Sequence, residues 1–157
     1  DHAMILHRSD LSRLDPVEIN ELVRLVMAKV VPLSMSREIE ISFTPASSDI
    51  VLSVDPVSVR EAISNLINNA LAHGATSRLE VEVEPLATGV SIVIRDDGDG
   101  FDADPQSLLA PFEKGPKSRG SGLGLTIASE VAKAHGGSLH FRRDNEFTVV
   151  QLVLSAS

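Results

Sequence analysis

Four polar side chains recur at intervals of four residues, in the set Glu61, Asn65, Asn69 and His73. Because an α-helix turns once every 3.6 residues, such side chains form one stripe with neighbours about 6 Å apart. The apolar positions beside the stripe predict a buried helix face made of Ile63, Leu66, Ile67, Ala70 and Leu71. Amide oxygens are hard, neutral ligands suited to Mg²⁺. The two asparagines of the stripe therefore predict a metal site, and the alternative for them is an ordinary solvated side of the helix. Glu61 is interpreted as an exposed acid of the helix.

A glycine-rich run extends from Gly120 to Leu125, directly before a helix predicted from about Leu123 to His135. The free N–H groups and the dipole of a helix N-terminus attract anions, so the run predicts a polyphosphate site. The run follows a polar loop and lacks both the dinucleotide-binding spacing and the Gly-Lys-Ser/Thr ending of phosphate-loop ATPases. A flexible linker is a poor alternative, because the apolar positions after the run have helical spacing.

A third block, Asp96-Asp97-Gly98-Asp99-Gly100, follows the buried-looking strand Val90 to Ile94. A carboxylate at the end of a strand can be held rigidly against a ligand. Gly98 and Gly100 permit positive φ and close approach of the backbone. The alternative is an ordinary Asp-Gly turn, which is common.

The elements that must position these blocks follow the order α, β, β, α, β, β, α, β, β. The first helix is predicted from the cap Asp15-Pro16 to just before Pro32, and Asp55-Pro56 opens the second. The strands are predicted at Glu38–Phe43, Ile50–Val54, Leu79–Glu84, Val90–Ile94, Leu139–Arg142 and Phe147–Leu154. Strands that arrive in pairs favour an α/β (α+β) two-layer sandwich, with a mixed, mainly antiparallel sheet of about five strands and three helices on one face.

Composition excludes several functions. The 157 residues carry a formal charge of −8 and no Trp or Tyr, which argues against binding DNA or RNA. No cysteine is present, so disulfides and thiolate metal sites are excluded and a reducing cytoplasm is the expected location. The longest apolar stretch is interrupted by charges and Pro32, so this domain should make no membrane contact. We expect residues 1–14 to be a tag or linker remnant and residues 15–157 to form one domain.

The three blocks, with Pro111-Phe112-Glu113-Lys114 before the glycine run, resemble the ATP-binding catalytic domain of bacterial sensor histidine kinases. The similarity extends roughly from Leu14 to Leu154 and places the chain in the gyrase, heat-shock chaperone, histidine kinase and mismatch-repair ATPase superfamily, with its Bergerat-type fold. It implies that ATP and Mg²⁺ are the ligands.

The resemblance also implies roles for individual residues. Asp96 would accept a hydrogen bond from the exocyclic amine of adenine, which guanine lacks at that position. Asn69 would bind Mg²⁺ and Asn65 would support the metal or the phosphates. His73 would reach the ribose and phosphates, or else simply favour the helix C-terminus. The other implied nucleotide-binding residues are Gly98, Gly100, Phe101, Gly120, Ser121, Gly122, Leu123, Gly124 and Leu125.

Residues 102–119 resemble the ATP lid of the family, with Phe112 as its anchor and Lys114 at the position that meets the γ-phosphate. Lys117 and Arg119 are either further phosphate partners or solvated loop charges. Two features depart from the family. Ala72 replaces a frequent Lys or Arg, and Asn145-Glu146 replace a common Gly-Thr pair before Phe147, so no ligand contact is assigned to the last strand.

The superfamily ATPases place a Glu four residues before the metal-binding Asn as the base for water. Asn65 stands there instead, which suits a kinase that must not waste ATP on water. None of the five His has the setting of a phosphoacceptor. The resemblance thus implies transfer of the γ-phosphoryl group to a histidine of a separate dimerisation and phosphoacceptor domain, in a homodimeric parent kinase that serves a response regulator and is anchored in the inner membrane. The alternatives are an anti-sigma-factor-type serine kinase and a non-catalytic nucleotide-sensing module.

Overall fold

The computed structural model describes residues 14–34, 38–73, 77–98 and 119–155. Ten elements follow one another along these residues, and each is numbered here in chain order. They are β1 (Asp15–Glu18), α1 (Ile19–Ser34), β2 (Glu40–Thr44), β3 (Val51–Val54), α2 (Pro56–His73), β4 (Arg78–Leu86), β5 (Gly89–Asp96), α3 (Arg119–Ala134), β6 (Ser138–Asp144) and β7 (Phe147–Ser155).

The main sheet has five strands in the order β2-β4-β5-β7-β6. Strands β2 and β4 run parallel, and the other three pairings are antiparallel. The apolar helix-facing side chains of β5 are Val90, Ile92 and Ile94, and all three are buried. The three helices and this side of the sheet enclose one aliphatic core. The mixed sheet and the two-layer sandwich confirm the predicted fold class.

The start of the first helix was predicted wrongly. Asp15–Glu18 forms β1, which pairs with β3 so that Asp15 lies opposite Val54. The helix begins at Ile19, and the carboxylate of Glu18 caps it by accepting the N–H groups of Asn20 at 3.1 Å and Glu21 at 3.0 Å. A local capping pattern at Asp15 was thus overridden by pairing with a strand distant in sequence, which satisfies more backbone groups than one cap does.

Two further predictions needed correction. The strand predicted at Ile50–Val54 exists as β3, but it pairs with β1 in a separate two-stranded sheet. Helix α1 continues through Pro32 to Ser34 rather than ending before the proline. Because Pro lacks an N–H group, α1 omits one backbone hydrogen bond near its end.

Helix α2 begins as the sequence indicates. The side chain of Asp55 accepts the N–H groups of Val57 at 3.1 Å and Ser58 at 3.3 Å, and Pro56 occupies the first helical position. All five residues predicted to form its buried face are buried. Helix α2 packs between α1 and α3 and also contacts β5. The polar stripe is therefore attached to a rigid element next to the central strand.

Helix α3 ends as predicted, at the pair Gly136-Gly137. Gly136 has a φ of 75°, and the N–H of Gly137 bonds to the carbonyl of Ala132 at 2.8 Å. A Cβ on Gly137 would lie 1.8 Å from the carbonyl oxygen of Val153, so only glycine fits where the chain turns back into the sheet. Among the described residues, no helix is long and apolar enough to cross a membrane.

Candidate functional site

The polar stripe of α2 lies at the edge of the buried face. Glu61, Asn65 and Asn69 are partly buried, whereas the neighbouring Asn68 is exposed. In the described part of the chain, no hydrogen bond involves the side-chain amide of Asn65 or Asn69. Two half-buried amides that have no partner among the described residues can serve as ligands. His73 is the last residue of α2, and its side chain lies outside the described residues.

Asp96 lies at the end of β5, on the side of the sheet that the helices cover. Asp96 is 5% exposed. It shares one side of the strand with the buried Ile92 and Ile94, because every second residue of a strand points to the same side. The Oδ1 atom accepts the N–H of Gly98 at 2.9 Å. Gly98 is itself buried. One carboxylate oxygen is thus fixed by the turn, and no hydrogen bond to the other oxygen is formed within the described residues.

The electrostatic environment of Asp96 is a balance of opposing effects. Burial raises the pKa of Asp96 above its ordinary value, and the adjacent Asp97 raises it further. The hydrogen bond from Gly98 and the positive charge of Arg143 lower the same pKa. Perturbed carboxylates in concave, partly buried places are common at functional sites.

Two residues of the site were missed by the sequence analysis. Thr148 of β7 lies directly opposite Asp96 in the strand register and is 4% exposed. Arg143 of β6 lies opposite Thr148 and donates to its hydroxyl oxygen at 2.6 Å. The register therefore places a carboxylate, a hydroxyl and a guanidinium in one row across three strands. No motif reveals this row, because it depends on strand pairing. The available signal was weak, since Thr148 is one of two polar residues in the mainly apolar Phe147–Leu154.

Asp97 ties this turn to the segment that follows α2. Its Oδ1 accepts the N–H groups of Ser77 and Arg78, each at 3.0 Å, and its Oδ2 accepts the hydroxyl of Ser77. Arg78 in turn lies 5.3 Å from the ring centroid of Phe147, a cation–π distance. The end of β5, the start of β4 and the start of β7 are thereby joined on the outer side of the sheet, behind Asp96.

The glycine-rich run forms the beginning of α3 rather than preceding it. The helix starts at Arg119, so Gly120, Ser121 and Gly122 belong to its first turn and Gly124 to its second. The first turn of a helix has N–H groups without intrahelical partners, which keeps the predicted anion site possible there. Leu125 is 1% exposed and packs in the core, so its side chain anchors this end of the helix.

Several predicted site residues lie outside the described residues. They are Gly100, Phe101, Phe112, Lys114 and Lys117. The side chains of Arg119 through Gly124 are likewise not described, although their backbone belongs to α3. The roles assigned to these residues stay predictions.

A metal ion at this site would need ligands other than a cluster of charged side chains. Among the described residues, no group of three or more His, Asp or Glu is arranged to bind a metal. The half-buried amides of Asn65 and Asn69 can supply oxygen ligands, and phosphate oxygens and water can complete a Mg²⁺ shell. The donor set thus fits a Mg²⁺ ion that arrives with a phosphorylated ligand.

Comparison with known families gives one match that covers most of the chain. Residues 54–157 match the family described as Histidine kinase-, DNA gyrase B-, and HSP90-like ATPase. Sensor-type histidine kinase PrrB of Mycobacterium leprae is 32% identical over 139 residues. That alignment covers 85% of this chain but only 30% of PrrB, so the chain spans less than a third of that relative.

Solved structures show the same fold. The catalytic domain of histidine kinase ThkA superposes with a TM-score of 0.81 at 20% identity, covering 91% of this chain and 95% of that domain. The ATP binding domain of PrrB from Mycobacterium tuberculosis superposes with a TM-score of 0.75 at 24% identity, covering 92% and 98%. These likenesses confirm the expected architecture, whereas the family match and the PrrB relative confirm the expected resemblance.

Proposed function

This chain belongs to the family of histidine kinase-, DNA gyrase B- and HSP90-like ATPases, and from that premise we propose that it binds Mg-ATP and presents the γ-phosphate to a histidine of a separate phosphoacceptor domain. The observation that carries the proposal is the buried carboxylate of Asp96, with one oxygen fixed by Gly98 at 2.9 Å. Burying a charged group costs free energy unless another group pairs with it or donates hydrogen bonds to it. An adenine amine is such a partner.

Asp96 is suited to select adenine over guanine. Its carboxylate only accepts hydrogen bonds when ionised, so it pairs with the exocyclic amine of adenine and opposes the carbonyl oxygen that guanine has at the same position. Thr148, opposite Asp96 in the register, offers a hydroxyl on the same side of the sheet. Together these groups can read one edge of the base.

The phosphates would extend from this end of the sheet toward α2 and α3, which pack against each other. Asn69, supported by Asn65, would bind Mg²⁺, whose charge neutralises the phosphate oxygens. The first turn of α3 would receive phosphate oxygens through its N–H groups. Lys114 would meet the γ-phosphate, and His73 would contact the ribose or the phosphates.

Transfer to a protein histidine is favoured over hydrolysis because α2 provides no carboxylate one turn before Asn69. Asn65 occupies that position and cannot accept a proton from water at neutral pH. The same residue argues against the serine kinase alternative, whose family normally has Glu there. Ala72 and the absent Gly-Thr pair are the features that support a non-catalytic nucleotide sensor instead.

The partners belong to the proposal as well. Relatives named as sensor histidine kinases are much longer than this chain. We therefore infer a parent protein that contains a dimerisation and phosphoacceptor domain, a response regulator that receives the phosphoryl group, and a cytoplasmic place for this domain beneath a membrane-anchored sensor.

The first test is calorimetric titration with a non-hydrolysable ATP analogue, with and without Mg²⁺, and with the corresponding GTP analogue. Asp96→Asn should weaken ATP-analogue binding by roughly tenfold to a hundredfold, the loss expected for one charge-assisted hydrogen bond. Because Gly98 engages the amide oxygen, the new NH₂ group faces the adenine amine, donor against donor. The same NH₂ group can donate to the carbonyl oxygen of guanine. The ratio between the affinities for the ATP analogue and the GTP analogue should therefore decrease.

Asn69→Ala should remove most of the Mg²⁺ dependence, and Asn68→Ala serves as the matched control because Asn68 is the exposed neighbour. Equal loss in both asparagine variants would contradict a specific role for Asn69. A folded wild-type chain that binds no nucleotide would refute the proposed function.

A further inference from the structure

Arg143 connects the turn after β5 with the neighbouring strand. Its Nη1 donates to the carbonyl oxygen of Gly98 at 2.9 Å and to the hydroxyl oxygen of Thr148 at 2.6 Å. Gly98 is 45 residues away in sequence, and Thr148 lies on β7. One nitrogen of the guanidinium group therefore joins the turn after β5 to the side chain of Thr148.

Gly98 is fixed from both sides by this arrangement. Its N–H donates to Asp96, and its carbonyl oxygen accepts from Arg143. Glycine has the widest conformational freedom of any residue, so a turn that contains it keeps one shape only when its backbone groups are bonded. The direction in which the Oδ2 atom of Asp96 points depends on the shape of this turn.

The second bond of Arg143 sets the orientation of a hydroxyl group. A threonine hydroxyl has one proton to donate and lone pairs that accept. Since Arg143 donates to Oγ1 of Thr148, the proton of this hydroxyl must point away from Arg143. Thr148 lies between Arg143 and Asp96 in the strand register, and its hydroxyl proton is available to an acceptor other than Arg143.

Arg143 itself is placed by a tight hairpin. Strands β6 and β7 are joined by Asn145 and Glu146 alone. Asn145 has a φ of 57°, a left-handed conformation that asparagine tolerates better than most residues. The short connection keeps β6 in register with β7 up to Asp144, which directs the guanidinium to the end of the sheet.

We propose that Arg143 is a positioning residue for nucleotide recognition, which fixes the turn from Asp96 to Gly98 and the hydroxyl of Thr148 in the arrangement that receives the base. The proposal rests on the proposed function and adds to it a residue that no sequence motif indicates. Arg143 acts without touching the nucleotide, because its hydrogen bonds to Gly98 and Thr148 hold in place the Asp96 carboxylate and the Thr148 hydroxyl, which are proposed to contact the base.

The charge of Arg143 offers a readout that a purely structural role would not change. Across the sheet, Leu79 of β4 and Thr148 of β7 lie opposite Asp96, and the charged groups that act on its pKa are Asp97 and Arg143 of β6. Of these, Asp97 raises and Arg143 lowers the pKa of Asp96. Removing the cation should therefore raise this pKa, so that binding which needs the ionised carboxylate is lost at a higher pH.

The experiment measures the dissociation constant of the non-hydrolysable ATP analogue with Mg²⁺ across the acidic range for wild type, Arg143→Met, Arg143→Lys and Arg142→Met. Arg142→Met is the matched control, because it removes the same charge from the adjacent, exposed residue on the opposite side of the strand. Arg143→Met should raise the dissociation constant about tenfold, as expected for one hydrogen bond from a charged group, and should shift the acidic limb to higher pH. Arg142→Met should do neither.

The lysine variant separates charge from geometry. Lysine retains the positive charge, but it replaces the planar guanidinium group, which can donate several hydrogen bonds, with a compact ammonium group on a shorter side chain. We expect it to keep the pH profile of wild type and to lose several-fold in affinity. This variant also carries the test if Arg143→Met fails to fold.

Each outcome has one interpretation. Wild-type affinity and pH profile in the folded Arg143 variants, or equal losses in Arg142→Met, would overturn the inference while leaving the proposed function intact. A folded wild type that binds no nucleotide would overturn both. We expect weaker binding in both Arg143 variants and not in Arg142→Met. We also expect the loss of binding at acidic pH to move to higher pH in Arg143→Met alone.

Discussion

The proposed recognition of an adenine amine needs the negative charge of Asp96, whereas burial of this carboxyl group disfavours the charge. Its pKa in the folded chain lies above the ordinary value, chiefly because of burial. A carboxyl group whose folded pKa exceeds its unfolded pKa contributes stability at low pH, and this contribution is lost as the pH rises through the folded value. The ionised site therefore reduces the stability of the free protein near neutral pH.

This balance predicts the effect of Asp96→Asn on folding. Asparagine keeps an acceptor for the N–H of Gly98 but carries no charge to desolvate. The free energy of unfolding of the variant, relative to wild type, should increase as the pH is raised from about 4 to about 8, even though nucleotide binding is weakened. Urea denaturation at several pH values measures the difference. If the difference in unfolding free energy between the variant and wild type stays constant or decreases as the pH rises, burial of the Asp96 charge does not reduce stability.

At the scale of elements, a buried histidine joins the two helices that carry the site. His135, just after α3, is 5% exposed. Its Nε2 accepts the N–H of Asp55, the cap of α2, at 3.1 Å, and its Nδ1 donates to the carbonyl of Val131 at 2.8 Å. Both ring nitrogens are used, which determines a neutral tautomer with the proton on Nδ1. The end of α3 and the start of α2 are thus bonded directly.

Replacing His135 with Phe should keep the packing volume and leave the N–H of Asp55 without its acceptor. The expected loss is about 1–3 kcal/mol of unfolding free energy, the usual penalty for an unsatisfied polar group. The control is His140→Phe, because His140 is exposed on β6 and should change stability by no more than about 0.5 kcal/mol. Denaturant titration of both variants provides the measurement, and equal stabilities would contradict the role of this bond.

At the scale of the whole molecule, the proposed transfer reaction needs a phosphoacceptor histidine, which the sequence of this chain does not indicate. None of its five histidines has the sequence setting of a phosphoacceptor. Incubation with γ-labelled ATP should therefore leave the chain unlabelled. Adding the phosphoacceptor domain of the parent kinase should produce acid-labile, base-stable phosphate on that domain, as expected for phosphohistidine.

Two results would redirect this conclusion. Acid-stable label on serine of an added antagonist protein would favour the serine kinase alternative. Nucleotide binding without any transfer to the phosphoacceptor domain would favour the nucleotide sensor.

The sequence by itself determined the elements whose signals are local. The cap and apolar period of α2, the glycine stop of α3 and the paired strands β4 and β5 were each predicted, because helix caps, glycine conformations and side-chain periods act within a few residues. The position of Asp96 at a strand end was predictable for the same reason. The order of the motifs along the chain also indicated the family.

Tertiary structure alone decided the features that depend on residues distant in sequence. Asp15–Glu18 became a strand because β3 was available to pair with it, and Glu18 replaced Asp15 as the cap. Arg143 and Thr148 joined the site because antiparallel pairing placed them in a row with Asp96. Such contacts arise from register and packing, which bring together side chains that no local pattern relates, and so only the folded chain reveals them.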